Sequence, residues 1–196
     1  QIALALALST SAALLARGLQ HAVSGPSGVA LDDTIAIQLV PPADATRAQT
    51  AAWRRDILTL VRQDNSIGIT DAVPLSRIAA LATMVRKPGT SVDFSTDAFA
   101  MSRTAADIYG VQLVAGRWAD DDGAHSEAVI NESLARRVFG DDAAIGQSLR
   151  LDFDGETYTI VGVARDAQVV TLDAARPLIH ITRWYASLPV MLVRRE

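Results

Sequence analysis

The sequence predicts an α+β fold, in which a β-α-β lobe joins a mostly antiparallel β lobe behind an N-terminal, partly transmembrane helix. Three observations predict it. The chain opens on an uncharged apolar run from Ile2 to Ala16. Residues 34–73 place two β-branched stretches around a segment with helical periodicity. Residues 127–194 hold short apolar stretches separated by turn residues, among them Asp154-Gly155, which predicts a two-residue hairpin turn.

The N-terminal run, IALALALSTSAALLA, ends at Arg17 and has no basic residue before it. A helix that spans a bilayer needs about 20 apolar residues, and a signal peptide begins with positive charge. We therefore interpret residues 1–23 as the end of a transmembrane helix and its stalk. Residues 24–196 are then an extracytoplasmic domain that is incomplete at its carboxyl end. The alternative interpretation of the run is a buried helix of a soluble protein.

The first lobe is a predicted β-α-β unit. Residues 34–40 (TIAIQLV) and 67–73 (IGITDAV) have the β-branched and apolar composition of strands. Thr46 is a good N-cap for a helix that runs to about Gln63. This helix is expected to cover one side of the sheet, because four apolar residues share one of its faces: Trp53, Ile57, Leu60 and Val61. Residues 77–85 are predicted to form a short helix.

The second lobe is predicted from caps, turns and alternation. Asn131 is a good N-cap, Glu132 lies at the positive end of the helix dipole, and Gly140 is suited to the end of that helix. Its buried face is expected to hold Leu134, Ala135 and Val138. Further strands are predicted at residues 98–102, 111–115, 127–130, 149–153, 158–163, 177–182 and 189–194, with a short helix at 104–109 closed by Gly110.

Composition and motifs exclude several classes of function. The formal net charge is -4 at pH 7, so the basic face of a nucleic-acid-binding protein is not expected. The chain has no cysteine, which excludes disulfides, thiolate zinc sites and cysteine catalysis. It contains no Walker sequence and no serine in a nucleophile elbow, so neither ATP hydrolysis nor that hydrolase class is expected.

We predict no catalytic, cofactor-binding or metal-binding residue. The three histidines, His21, His125 and His180, are far apart, and none has the spacing of metal ligands. Residues 120–123 (DDDG) resemble part of a calcium loop but lack its alternating acidic pattern, so a solvated turn is predicted. Residues 131–133 match a glycosylation sequon, although capping of a helix explains Asn131 better.

Residues 106–166 carry a family resemblance. They read ADIYGVQLVAGRWADDDG, then EAVINESLARRVFGDDAAIGQSLRL, then YTIVGVARD. These three pieces, in this order and spacing, resemble the MacB-like periplasmic core domain of FtsX-family ABC transporter permeases. The matching positions are Gly110, Gly116, Arg117, Asn131, Glu132, Ala135, Phe139, Ile145, Gly146, Val161, Gly162 and Val163. The chain departs from the pattern at Ala144, where a proline is usual, and over residues 75–95.

The signature positions also have physical roles that can be predicted. Gly146 is expected in a turn conformation that side chains disfavour, and Gly162 is expected to allow a close approach of two backbones. Arg117 follows a glycine at a strand end, where it is expected to make either a buried ion pair or a contact with a partner. Of these two, the ion pair is favoured. No member of the signature is expected to act in catalysis.

The resemblance implies a permease subunit of the bacterial inner membrane, with this domain on the periplasmic or extracellular side. It implies a separate cytoplasmic ABC ATPase that binds the ATP, so no cofactor is expected here. It also implies a permease homodimer or heterodimer and a periplasmic or outer-membrane partner. The function expected is to couple ATP-driven motion to export of a substrate or regulation of a partner. The alternatives are a membrane-anchored sensor or ligand-binding domain and, third, an anchored hydrolase.

Overall fold

The computed structural model describes residues 12–17, 29–30, 33–64, 66–74, 81–120, 126–169, 175–182 and 190–194. Residues 12–17 are helical. The other elements are β1 (Thr34–Gln38), α1 (Arg47–Gln63), β2 (Ile67–Thr70), β3 (Leu81–Arg86), β4 (Asp93–Ala100), α2 (Arg103–Tyr109), β5 (Leu113–Gly116), β6 (Glu127–Asn131), α3 (Glu132–Phe139), β7 (Ser148–Leu151), β8 (Thr157–Ala164), β9 (Leu178–Ile181) and β10 (Val190–Arg194). The mixed α+β class is confirmed.

In the described part of the chain, the first sheet contains three strands in the order β1-β10-β2. The predicted β-α-β order along the chain is confirmed, but its two strands are not neighbours. Strand β10 lies between them and is antiparallel to both, with Thr34 opposite Arg194 and Thr70 opposite Val190. The last described strand of the chain therefore completes the sheet that the first strand begins.

Helix α1 begins and ends close to where the sequence predicts. The Thr46 hydroxyl accepts a hydrogen bond from the Gln49 amide at 3.3 Å, and the Gln49 side chain accepts one from the Thr46 amide at 2.8 Å. This capping box satisfies two amides that lack partners within the helix. Val61 is buried, and Trp53 and Ile57 are half-buried. The predicted apolar face is thus turned toward the protein, where α1 contacts β2.

The second sheet has seven strands within the described residues, in the order β5-β8-β6-β9-β4-β3-β7. Strand β7 also pairs with the first half of β8, which closes the sheet into a ring, while the second half of β8 pairs with β5. The pairs β6–β8 and β4–β9 are parallel, and the other pairs are antiparallel. The prediction of a mostly antiparallel lobe is confirmed.

One predicted element was wrong. Residues 81–85 were expected in a short helix, but Leu81–Arg86 form strand β3, which pairs with β4 along its whole length. Thr83 and Val85 are buried at alternate positions, which is strand periodicity. The pairing partner of this strand, β4, lies outside the short stretch of sequence that suggested a helix. The pattern of that stretch alone therefore predicted the wrong element. Residues 75–80 lie outside the described part of the chain.

The large sheet has a hydrophobic core on each face. Ala98 and Ala100 of β4 face a core completed by Leu134 and Phe139 of α3, which we call the α3 core. Alternate residues such as Phe99 face a second core, built around α2 and β10, which we call the α2 core. The α2 core joins the two sheets, because Val190 and Leu192 of β10 and the buried Tyr109 of α2 both belong to it.

The helical residues 12–17 leave Leu14 and Leu15 exposed, at 68% and 74% of their surface. Within the described residues, no helix is both long enough and apolar enough to span a bilayer. Residues 1–11 and 18–28, which hold most of the predicted membrane segment and stalk, lie outside the described residues.

Candidate functional site

Most of the signature residues of the second lobe lie along β5, β6 and β8 and in α3. Gly116 lies opposite Gly162 in the β5–β8 pair. A Cβ atom on Gly162 would overlap the carbonyl oxygen of Arg117, and one on Gly116 would overlap the carbonyl oxygen of Val161. Gly116 also has a φ of 78°, which side chains disfavour. The predicted close approach of two backbones at Gly162 is therefore confirmed, and it holds β5 against β8.

Arg117 forms the ion pair that the sequence favoured, and its partner is Glu127. Its Nη1 lies 2.9 Å from Glu127 Oε2, and its Nη2 donates to Glu127 Oε1, so the contact is bidentate. The same Nη1 donates to the Trp118 carbonyl at 3.0 Å, and the Asp120 amide donates to Glu127 Oε2 at 3.3 Å. Glu127 thus holds residues 117–120 against β6. The expectation that this pair is buried was wrong, because the Arg117 side chain is 53% exposed, although Glu127 is only 14% exposed.

Asn131 caps α3 as predicted and also fixes strand β9. Its Oδ1 accepts hydrogen bonds from the amides of Leu134 at 3.0 Å and Leu178 at 2.9 Å. Its Nδ2 donates to the Arg176 carbonyl at 2.8 Å. Asn131 is 1% exposed, so these bonds replace all the water that the side chain would otherwise bind. A role in joining α3 to β9 was not visible in the sequence, because Leu178 lies 47 residues away.

The first turn of α3 is tied to the end of β8 through Asp166. The Asp166 carboxylate accepts from the Ser133 amide at 2.8 Å, the Ser133 hydroxyl at 2.6 Å and Arg136 Nη2 at 3.0 Å. In return, the Asp166 amide donates to Glu132 Oε2 at 3.2 Å. The Ser133 hydroxyl therefore donates to a carboxylate and has the geometry of a structural contact. Sequence analysis missed Asp166, which lies 33 residues beyond Ser133.

The remaining signature positions have local roles. Gly146 has a φ of 83°, as predicted for a turn, and its amide donates to the Ile160 carbonyl at 2.8 Å. Ala135 is half-buried against the α3 core. Glu132 lies in the first turn of α3, at the positive end of the helix dipole. Asn131, Glu132 and Ala135 therefore belong to the joint between α3 and its sheet. Gly116, Arg117, Gly146 and Gly162 shape the neighbouring strands and turns.

An ion pair between a buried carboxylate and a half-exposed arginine lies beside this joint. Asp97 of β4 is 2% exposed, and its Oδ2 lies 3.2 Å from Arg176 Nε without hydrogen-bond geometry. Burial raises the pKa of the Asp97 carboxyl, and the Arg176 guanidinium opposes that shift. The Asp97 amide also donates to the Pro177 carbonyl at 3.0 Å. Residues 176–178 are thus held by Asp97 on one side and Asn131 on the other.

Most of the candidate metal ligands considered in the sequence lie outside the described residues. His21, His125 and residues 121–123 lie outside the described residues, so the predicted acidic turn is seen only at Asp120. Asp120 lies 3.6 Å from the Arg117 guanidinium. Among the described residues, no cluster of three or more histidine or carboxylate side chains has the arrangement of a metal site. The contacts above can hold elements together, and they include no nucleophile with a neighbouring imidazole base.

The family model of the MacB-like periplasmic core domain matches residues 2–193. The fold is similar to the periplasmic region of MacB from Actinobacillus actinomycetemcomitans, with a TM-score of 0.56 and 13% identity over 90% of this chain and 81% of that one. It is also similar to the extracellular domain of the noncanonic ABC-type transporter YknZ from Gram-positive bacteria, with a TM-score of 0.53 and 15% identity over 83% of each chain. No curated protein sequence matches. Because the family match covers nearly the whole chain, this protein belongs to the MacB-like periplasmic core domain family of ABC transporter permeases.

Proposed function

We propose that this chain transmits motion, driven by a separate cytoplasmic ABC ATPase, to a substrate or partner outside the bacterial inner membrane. The observation that carries the proposal is the family match over residues 2–193. The family consists of permease domains and is not an enzyme class. The domain's role is therefore mechanical: it acts as a lever, and ATP is bound and hydrolysed by the partner subunit.

The contacts around α3 support a lever that moves as one body. The strand ring is closed through β7 and β8, so its strands cannot slide apart independently. Asn131 joins α3 to β9, and Asp166 joins the same helix to the end of β8. A helix fixed to two different strands transmits a displacement between them with little loss. Such a connection is what a force-transmitting domain requires.

The proposal includes a membrane attachment at the N-terminus. Residues 1–23 are the end of a transmembrane helix and stalk, and residues 24–196 are the extracytoplasmic domain. The exposed Leu14 and Leu15 support this assignment, because lipid would cover apolar side chains that water does not solvate well. The stalk is then the mechanical link between the membrane and the domain.

The domain is further proposed to be completed by a later segment of the permease. Strand β1 lies at the edge of the small sheet, and its Ile35 and Ile37 are 49% and 42% exposed. An apolar edge strand without charge is normally covered in a native protein. A second helix and strand laid against β1 would cover both side chains. The permease is proposed to work as a homodimer or heterodimer, with a periplasmic or outer-membrane protein as a further partner.

Single-cysteine labelling tests the membrane topology, because this chain has no cysteine of its own. In a full permease freed of other cysteines, Leu6→Cys is expected to resist a membrane-impermeant maleimide. The matched variant Val92→Cys is 54% exposed and is expected to react from outside intact spheroplasts. If Leu6→Cys reacts as fast as Val92→Cys, or if Val92→Cys reacts only after lysis, the proposed topology is wrong.

A further inference from the structure

His180 occupies an unusual position for a polar side chain. It lies in the middle of β9, opposite Val129 of β6 and Phe99 of β4. It is 4% exposed, and no described protein group forms a hydrogen bond with its Nδ1 atom. A core histidine normally has a partner for each buried nitrogen. The imidazole therefore presents an unused donor atom to its surroundings.

The surroundings of His180 form a small cleft on the α2 side of the sheet. Trp118 closes one wall, with its ring centroid 6.0 Å from that of His180 and the planes at 74°. Met101, which is 3% exposed, forms another wall together with Val129 and Ala119. The cleft has about 10 Å³ that the centre of a water-sized sphere can occupy. It therefore has room for a single small atom or ion.

The chemistry of these walls points to one class of ligand. We propose that His180, Met101 and Trp118 form a site for a soft monovalent metal ion, Cu(I) or its surrogate Ag(I). An imidazole nitrogen and a thioether sulfur are ligands that suit Cu(I), and the indole ring adds attraction for a cation. Burial lowers the pKa of His180 to about 4, so the imidazole is neutral at pH 7 and available to a metal.

Other ions fit this cleft less well. Within the described residues, its walls include no carboxylate, which is the ligand that Mg²⁺ and Ca²⁺ prefer. Arg103 also lines the cleft and repels cations, but its side chain is 70% exposed and lies 4.0 Å from the Asp107 carboxylate. Solvent and that carboxylate both screen its charge. A monovalent ion with soft ligands has the lowest cost of desolvation among the metals considered.

The strand register places Met101 close to His180. Ala100 pairs with Ile181 in the parallel β4–β9 ladder, so Met101 follows on the same sheet face as Phe99 and His180. Met101 and His180 are thus diagonal neighbours, a separation that long side chains can bridge. Trp118 is placed over them by residues 117–120, which the Arg117–Glu127 pair holds in place.

Silver binding provides the test, since the absence of cysteine removes competing thiolates. Equilibrium dialysis of the tag-free full chain against Ag(I), in chloride-free buffer, should find one tightly bound ion. Met101→Leu and His180→Phe should each weaken it by at least about tenfold, while Met84→Leu, which alters a methionine outside the cleft, should not. X-ray absorption of the Ag(I) or Cu(I) complex should show one sulfur and one nitrogen ligand.

Three outcomes would overturn the site. Absence of tight binding would leave His180 as a core residue only. Binding that survives both Met101→Leu and His180→Phe would place the metal at other histidines, such as His21 or His125. A spectrum without sulfur would exclude Met101. If His180→Phe failed to fold, Met101→Leu would still show whether Ag(I) binds in the cleft, because this substitution conserves side-chain volume. None of these outcomes bears on the proposed permease role.

Discussion

Gly116 and Gly162 face each other across the β5–β8 pair, each so close to the opposite strand that a side chain on either would overlap a backbone carbonyl oxygen. The contact brings the loop that starts at Arg117 over the sheet, where Arg117 donates its amide hydrogen to the Val161 carbonyl at 3.0 Å. Two residues without side chains thus determine where the Arg117–Glu127 pair and Trp118 lie.

Gly162→Ala is expected to destabilise the domain by about 2 kcal/mol or more, because β5 must move away from β8 to admit the methyl group. Thr157→Ala, on the exposed surface of the same strand, should change stability little. Denaturant unfolding of the two variants checks this. Equal stability of Gly162→Ala and the unmodified domain would show that the close approach is not required.

Asn131→Ala is expected to lower the free energy of unfolding by about 3 kcal/mol. It removes the cap of α3 and leaves the Leu178 amide and the Arg176 carbonyl without their partner. Ser133→Ala removes one hydroxyl bond to Asp166 and should cost about 1 kcal/mol. Hydrogen exchange of the Leu178 amide should accelerate in the first variant and not in the second. If only amides of α3 exchanged faster in Asn131→Ala, the proposed link between Asn131 and β9 would be contradicted.

Much of the fold could be predicted where the signal is local. The cap at Thr46 and the cap at Asn131 each depend on residues within a few positions. A hairpin at Asp154-Gly155 was also predicted correctly, but β7 ends at Leu151 and β8 begins at Thr157, so its connection is longer than the two residues expected. The insertion of β10 between β1 and β2 could not be predicted, because strand order depends on partners far apart in the chain. Strand β3 was missed for the same reason.

The candidate site shows the same division. The turn at Gly146 followed from residue type, and a pairing partner for Arg117 was expected without being identified. Asp166, the Asp97–Arg176 pair and the cleft at His180 are all made by residues distant in sequence. A single histidine or aspartate in a sequence does not indicate which residues it will contact in the folded protein. These contacts became visible only when the strands were placed side by side.

The buried Asp97 predicts a pH dependence. Its folded-state pKa is raised, chiefly by burial, so the folded domain holds this proton more tightly than the unfolded chain does. The stability that the neutral carboxyl contributes is therefore present below the unfolded pKa, which is about 4, and is lost as pH rises through the folded pKa. Asp97→Asn removes this titration, because its amide is neutral at every pH.

The difference in unfolding free energy between Asp97→Asn and the unmodified domain is therefore expected to grow in favour of the variant as pH rises from 4 towards 7. Denaturant unfolding at several pH values measures it, and the other carboxyl groups cancel in the difference. If this difference in unfolding free energy shrinks over the same pH range, the Arg176 guanidinium outweighs burial and holds the Asp97 pKa below its ordinary value.

The Arg117–Glu127 pair is expected to control the exposure of Trp118. Arg117→Ala should release residues 117–120 and raise the quenching of Trp118 fluorescence by acrylamide, measured with Trp53 and Trp184 replaced by phenylalanine. The cost in stability should stay below about 1 kcal/mol, since the arginine is half-exposed. Arg136→Ala, which breaks the ion pair to Asp166, is the matched control and should leave quenching unchanged.

We expect this domain to be a rigid lever that is moved by another polypeptide. Double electron–electron resonance tests this with spin labels at Val92→Cys in both permease copies and with the ATPase present. The distance between copies should change between the ATP-bound and ADP-bound states, while that between Val92→Cys and Val114→Cys within one domain should not. An unchanged distance between copies, or an altered distance within the domain, would contradict the claim.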